Sequence, residues 1–262
     1  MSSPGVPFVK ASACGNDFLI LDGVYAPADI ADFSRRIADR HQGVGADGVE
    51  WLFPTEGADV EANLFNADGS NAEVSGNGTR CVAAYLCREQ AKQKIVIRTG
   101  AGLKTCTLMS HRERQYEFEL AMGKPEIGRE LLLELSRGEV RGIPVSIGNP
   151  HFVMFVRKFP ARWQKQAEEI GRHQQFKDGI NVELVAVRDR NNIEVRFLER
   201  GVGETQSSGT GSCAAAVAAI SEKQVRSPVE VHTLGGVQVV RWDQQVFLRG
   251  SAQLICQGEF FL

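Results

Sequence analysis

The chain repeats itself once at nearly half its own length, and this constrains the fold more than any local motif. Setting Ser75 on Ser208, an offset of 133, lays "NLFNADGSNAEVSGNGT" (63–79) on "RFLERGVGETQSSGTGS" (196–212) without a gap. Both copies run from an apolar strand end through a polar pair (Asn66-Ala67, Glu199-Arg200) and a Gly-rich turn into S-G-x-G-[TS]. The same offset places Gly15-Asn16 on Gly148-Asn149, while 131 places "DGV" (47–49) on "DGI" (178–180) and 134 places Thr99 on Thr233. An ordered series at near-constant offset points to two homologous halves. The expected halves are 1–125 and 140–262, with the C-terminal strand a candidate to pack back on the first half and an active site in the cleft between.

Periodicity supplies the elements. Alternating, β-rich stretches lie at 18–22, 60–65, 94–99, 116–122, 151–156, 180–187, 193–198, 229–234 and 237–242. Helical spacing appears at 29–41, 79–90, 162–173 and 211–223. Each half is mostly antiparallel strand with two helices, one opening at its S-G-x-G turn. The alanine-rich helix faces let strands approach closely, so the expected fold is α+β: two pseudo-symmetric domains, each a mainly antiparallel sheet wrapped around a central helix.

Composition excludes several partners. Lys and Arg total 30 against 32 Asp and Glu, so no net field recruits a polyanion. The basic cluster "HRER" (111–114) is short and lacks interleaved aromatics, as a solvated turn would, and nucleic acid is not an expected partner. The N-terminus has no apolar signal core, and the longest small-apolar run, "CAAAVAAI" (213–220), is too short to cross a bilayer. Six cysteines without a C-x-x-C pair or matched metal spacing read as reduced thiols of a cytoplasmic protein with no metal site.

The repeated S-G-x-G turn is the chemical signal. The first backbone amides of a helix have no partner inside it, and the dipole adds positive charge there. Glycines let an anion come close to those amides. A single such turn is commonly no more than an N-cap serine with a turn glycine. Two in equivalent positions can converge on one carboxylate, with side chains 75 and 208 on opposite sides of it. That arrangement suits inversion of a stereocentre by proton transfer, which needs an acid/base on each face and donors for the charge that develops. No cofactor is required, and no P-loop or pyridoxal-lysine motif is visible. The stretch "GVGADG" (43–48) matches G-x-G-x-x-G, yet it follows a helix and leads into a strand, the reverse of a dinucleotide site.

Together "GNDF" (15–18), "RHQGVGADG" (40–48), "FNADGSNAEVSGNGTRC" (65–81), "GNPH" (148–151), "GINV" (179–182) and "ERGVGETQSSGTGSCA" (199–214) make the chain resemble diaminopimelate epimerases over nearly its whole length. The resemblance implies a cofactor-independent interconversion of LL- and meso-diaminopimelate, in lysine and peptidoglycan precursor synthesis, by a homodimer. Proline racemases, hydroxyproline epimerases and phenazine-biosynthesis isomerases share the architecture. By the same resemblance Asn16, Gly76, Asn77, Gly209 and Thr210 surround the reacting carboxylate and amine. Asn66, Asn149, Asn181, Glu199 and Arg200 read the distal end, and His151 stands beside the site. Gly48 stands where some members carry Gln.

The main departure falls on the chemistry. The family's two bases are cysteines, and the matching positions are Ser75 and Ser208. Cys81 and Cys213 lie on following helical turns and face elsewhere. An alkanol is a far weaker acid than a thiol, so serine at both positions should slow proton abstraction severely unless another base assists. Three readings stay open: engineered serines, a divergent epimerase with another activation scheme, or a relative acting on another amino acid or only binding one.

Overall fold

The computed structural model describes residues 5–89 and 92–261. Gln90, the last residue of the second expected helix, lies outside them. The chain forms two compact units, one running to Leu120 and resuming at Gly250, the other Ala121–Arg249. The first holds strands β1 (Val6–Ala13) and β2 (Asn16–Asp22), helix α1 (Ile30–Ala38), β3 (Gly48–Phe53), β4 (Val60–Asn66) and β5 (Asn71–Ala72). Helix α2 (Gly76–Cys87) follows, then β6 (Lys94–Thr99), β7 (Gly102–Arg112) and β8 (Gln115–Gly123), whose last three residues belong to the second unit. The second begins with β9 (Glu126–Ile127), β10 (Leu131–Leu135), β11 (Gly138–Ser146), β12 (Pro150–Phe155) and helix α3 (Trp163–Gly171). It continues with β13 (Asn181–Val187), β14 (Asn192–Glu199), β15 (Gly203–Thr205), helix α4 (Gly209–Ser221), β16 (Val229–Thr233) and β17 (Gly236–Trp242). Strand β18 (Val246–Phe260) is shared, its early residues pairing with β17 and its later ones with β1.

Strand register makes the internal repeat concrete. In the first unit β2 runs parallel to β3 with Phe18 opposite Gly48; in the second β12 runs parallel to β13 with His151 opposite Asn181. The equivalent of Gly48 is therefore Asn181, at an offset of 133. The expected overlay of "DGV" on "DGI" at 131 does not hold, because strand pairing and not the shared Asp-Gly sets the register. The offset of 134 further on does hold. Val60 pairs with Ile97 and Ile193 with Val231. Thr99 and Thr233 cap their turns alike, each donating its hydroxyl at 2.8 Å to the carbonyl of Gly102 or Gly236.

Each unit wraps strands around one small-residue helix. In α4 every side chain from Cys213 to Ala219 is buried, and in α2 the run Cys81–Ala84 is buried as completely. Packing from all sides demands side chains no larger than the gap between strands, which explains the alanines. Helix α2 contacts β1, β2, β3, β6 and β7, and α4 contacts β11, β12, β13, β14, β16 and β17. The other two helices are one-sided. Helix α1 buries Phe33, Ser34, Ile37 and Ala38, with Trp51 Nε1 donating to Ser34 Oγ at 2.9 Å. Helix α3 buries Trp163, Ala167 and Ile170 against a cluster that includes Phe152, Val182 and Leu184.

Candidate active site

The serines begin the two central helices, and the same local physics places both. Ser75 (φ −124°, ψ 124°) and Ser208 (φ −138°, ψ 129°) are extended N-cap residues. Each hydroxyl accepts the amide of the glycine three residues on, Gly78 at 3.1 Å and Gly211 at 3.2 Å. One first-turn amide is thereby satisfied in each helix, and the rest of the turn keeps its positive end. Gly76 and Asn77 stand in that turn in the first unit, Gly209 and Thr210 in the second. Ser208 is buried and Ser75 half-buried.

In the first unit Asn16 and Asn77 meet. Asn77 Nδ2 donates to Asn16 Oδ1 at 2.6 Å, and Asn16 Nδ2 donates to Asp47 Oδ2 at 3.1 Å. Gly15, with φ 84°, lets the β1–β2 turn close so that Asn16 faces this way; Gly148, with φ 89°, does the same before Asn149. Behind Asn77 lies Arg80, fully buried, whose Nη2 donates to Asn77 Oδ1 and reaches Cys14 Sγ at 3.6 Å. Its Nε and Nη1 have no hydrogen-bond partner among the described residues. The arginine thus orients the Asn77 amide and puts a cation under the helix start. Asn66 stands apart from this chain, at the exposed end of β4, donating to Ser70 Oγ at 3.0 Å.

An ion cluster anchors these residues. The Asp17 carboxylate accepts from Arg40 Nη2 at 2.8 Å and from the Asp47 amide at 3.0 Å, and pairs with Lys10 Nζ at 2.9 Å. Arg40 also reaches Asp47 at 2.7 Å. Partial burial works against the Asp17 carboxylate, yet the hydrogen bonds from Arg40 and Lys10 hold its pKa at about 2. The conspicuous "GVGADG" is thus part of a connection from α1 to β3 whose Asp47 clamps the β2 start.

In the second unit a relay of side chains leads to the helix. Glu183 Oε1 lies 2.7 Å from His151 Nδ1, and His151 Nε2 lies 3.0 Å from Asn149 Oδ1. Asn149 Nδ2 in turn donates to Thr210 Oγ1 at 3.3 Å. With Asn149 Oδ1 accepting, Nε2 carries the proton, and the group facing Nδ1 is the carboxyl. Glu183 and His151 are both buried. Burial pushes the Glu183 carboxyl upward, opposed by the charge and hydrogen bond of His151. A separate group joins Asn181, which donates to the Pro150 carbonyl at 2.9 Å and accepts the Arg200 amide at 2.9 Å. The exposed Arg200 guanidinium rests on the Asp178 carbonyl at 2.8 Å, and Glu199 accepts from Thr205 at 2.9 Å.

Several residues were not among the expected site: Glu50, Arg80 and Glu183 beneath the helix starts, and Asp17, Arg40 and Asp47 behind Asn16. Cys81 and Cys213 are wholly buried. Burial pushes the Cys81 thiol far above the ordinary range, which unfits it as a replacement base. No helix among the described residues is long and apolar enough to cross a membrane.

Comparison with known proteins bears on what this geometry serves. The sequence model of the family described as "Diaminopimelate epimerase" matches residues 8–127 and 143–255, one stretch in each half. A protein of that name from Pelotomaculum thermopropionicum is 37% identical over 274 residues, covering 97% of this chain and 98% of its own. Another, from Sphingopyxis alaskensis, is 35% identical over 263 residues and covers 96% of each. Among solved structures, the phenazine biosynthesis protein of the PhzF family from Bacillus anthracis superposes with a TM-score of 0.74 at 14% identity, covering 98% of this chain and 99% of that one. A hydroxyproline epimerase from Agrobacterium vitis gives 0.73 at 16% identity, covering 100% and 94%. At such identities the structural likeness shows the shared fold.

Proposed function

From the premise that the chain belongs to the diaminopimelate epimerase family, we propose that it interconverts LL- and meso-diaminopimelate without a cofactor, by proton transfer at one α-carbon. Carrying this reading is the pair of equivalent helix starts, each with a hydroxyl at its N-cap and a polar relay behind it. The free amides of each first turn suit an α-carboxylate and the charge that develops as the α-proton leaves. Asn16 and Asn77 act at the first helix start and Thr210 at the second; Asn149, expected at the distal end, bonds Thr210 and so joins the second start instead. Asn66, Asn181, Glu199 and Arg200 read the distal ammonium and carboxylate, for which a carboxylate, a guanidinium fork and two-way amides are the matching chemistry. Ser75 and Ser208 hold the two acid/base positions. The family resemblance extends the reading to a cytoplasmic homodimer.

The test is α-proton exchange in D2O with LL-diaminopimelate, followed by NMR. The unsubstituted chain should exchange slowly. Ser75→Cys/Ser208→Cys should exchange at least ~100-fold faster, since a thiol near a helix N-terminus is a far better base than an alkanol. A double variant that binds diaminopimelate yet exchanges no proton sinks the assignment of these two positions. The serines also favour a second reading, a protein that binds an amino acid without turning it over or acts on a different one. Arg200→Ala discriminates: it should weaken binding of diaminopimelate most and of a monocarboxylic amino acid least.

A further inference from the structure

Each helix start rests on a buried glutamate, and the two glutamates occupy equivalent register positions. Glu50 lies opposite Ile20 in the β2–β3 pair, and Glu183 opposite Val153 in the β12–β13 pair. A Cβ on Gly78 would overlap Glu50 Oε1 and stand 3.3 Å from Ser75 Cβ; one on Gly211 would lie 2.8 Å from Glu183 Oε1. The glycine three residues after each serine therefore makes room for a carboxyl under the first helical turn. The two acids differ in company. Glu183 has His151. Glu50 has Phe18 at the equivalent place, and among the described residues no hydrogen bond or ion pair reaches it. An acid buried without a donor is costly, and an apolar side chain would fill the same space without that cost. Buried, unpaired acids of this kind gather where proton transfer is done.

We propose that Glu50 is the proton acceptor behind Ser75, taking the hydroxyl proton as Ser75 Oγ takes the substrate's α-proton. The step balances. The Cα–H bond breaks and its electron pair stays on carbon, held by the carboxylate and the helix amides. A new Oγ–H bond forms, the original Oγ–H bond breaks, and an Oε–H bond forms on Glu50. Serine ends as it began, and the reverse sequence returns the proton. Ser75 Oγ already accepts the Gly78 amide, so its own proton is the one it can give away. Glu50 is not hydrogen-bonded to it in this structure and must come within reach as substrate binds. Burial lifts the Glu50 carboxyl to about 8, which makes its ionised form a stronger base than an ordinary carboxylate. The proposal rests on the epimerase reading and supplies what serine lacks there. Glu50 touches no substrate atom and acts through Ser75; in the second unit the His151–Glu183 pair stands at the equivalent place.

The experiment measures α-proton exchange into D2O with diaminopimelate for the unsubstituted chain, Glu50→Gln, Glu50→Asp, Ser75→Cys and Ser75→Cys/Glu50→Gln. Glu50→Gln should lower kcat by ~100-fold or more at little-changed KM, with partial recovery in Glu50→Asp. In the Ser75→Cys background the same substitution should cost less than about threefold, because a thiolate carries its own charge. Equal losses in the two backgrounds, or no loss from Glu50→Gln, overturn the proposal. So does exchange by Ser75→Cys/Ser208→Cys alongside none by the unsubstituted chain. Absence of exchange in that double cysteine variant overturns the epimerase reading itself. Calorimetric binding of diaminopimelate to Glu50→Gln separates a lost relay from a lost fold.

Discussion

The two helix starts share a scaffold and differ in charge. Each has an extended N-cap serine, a glycine three residues on, an asparagine at or just before the start of a neighbouring strand and a buried glutamate beneath. At two equivalent positions they part. The first unit has Arg80 where the second has Cys213, and Phe18 where the second has His151. The backbone of the helix start is thus kept twice, while the charged groups around it differ. The first start holds a fixed cation and a lone acid; the second holds a titratable pair. A single stereocentre presents two different faces, so two unlike sides are what an epimerase can use.

The largest expected effect falls on the residue that most separates the two. Arg80→Ala should destabilise the protein by about 3–5 kcal/mol, since it leaves a large cavity and removes the guanidinium's hydrogen bond to Asn77 Oδ1. Cys213→Ala, at the equivalent place in α4, removes one sulfur atom and should cost about 1–2 kcal/mol. Urea denaturation of both measures the difference. Equal costs would break the claim that the first helix start is organised around its arginine.

Next comes the lone acid. Glu50 titrates near 8 folded and near 4.5 when exposed. The folded state therefore binds the proton more tightly, and its stability from this group is full below pH 4.5 and lost as pH rises through 8. Denaturation midpoints between pH 5 and 9 should show a fall on the order of 3 kcal/mol that Glu50→Gln removes. A slope that persists in the variant belongs to other groups.

How legible the molecule is from its sequence follows from the same positions. The repeat and the helix starts could be read because glycine, serine and alanine at fixed spacing have few other uses. Strand β6 falls where alternation puts it, Lys94–Thr99. Strand β7, "GLKTCTLMSHR", was not read, because its half-exposed face blurs the alternation. Strand β18 is expected only as a C-terminal strand that packs back on the first half, and its extent is obscured because a glycine and a serine interrupt it just where its partner changes from β17 to β1. In the site, serines, asparagines and His151 were legible through motifs, whereas Glu50 and Glu183 read as the solvent side of a strand. A signal was present. At an offset of 133 Val49-Glu50 falls on Val182-Glu183, but the shared Asp-Gly drew that region to 131 and separated them. Arg80 gave no such sign, since a lone arginine in a helix is ordinarily solvated.

A smaller effect tests the titratable pair by making the second start resemble the first. His151→Phe leaves Glu183 without its partner and Asn149 Oδ1 without a donor. It should cost about 2 kcal/mol in thermal denaturation, the penalty of an unsatisfied buried acid. Little or no loss would mean that Glu183 tolerates isolation as Glu50 does, and the contrast would narrow to Arg80 alone.

The smallest effect concerns what the two starts share. Ser75→Ala and Ser208→Ala each delete a hydroxyl that accepts one helix amide, at 3.1 and 3.2 Å, from almost the same backbone conformation. Each should cost about 1 kcal/mol, a fall of roughly 2–4 °C in melting temperature for a chain of this size. The double variant should lose the sum, because separate helix starts with no shared partner add. Ser→Gly at either position should lose only a few tenths, since glycine leaves the amide open to water. Structural cost and chemical cost then separate. If the caps are equivalent in stability while Ser75→Ala and Ser208→Ala slow α-proton exchange by different factors, the asymmetry lies in the groups behind the serines. A stability difference above ~0.5 kcal/mol between the two caps would place part of that asymmetry in the serines' own surroundings, where burial already distinguishes Ser208 from Ser75.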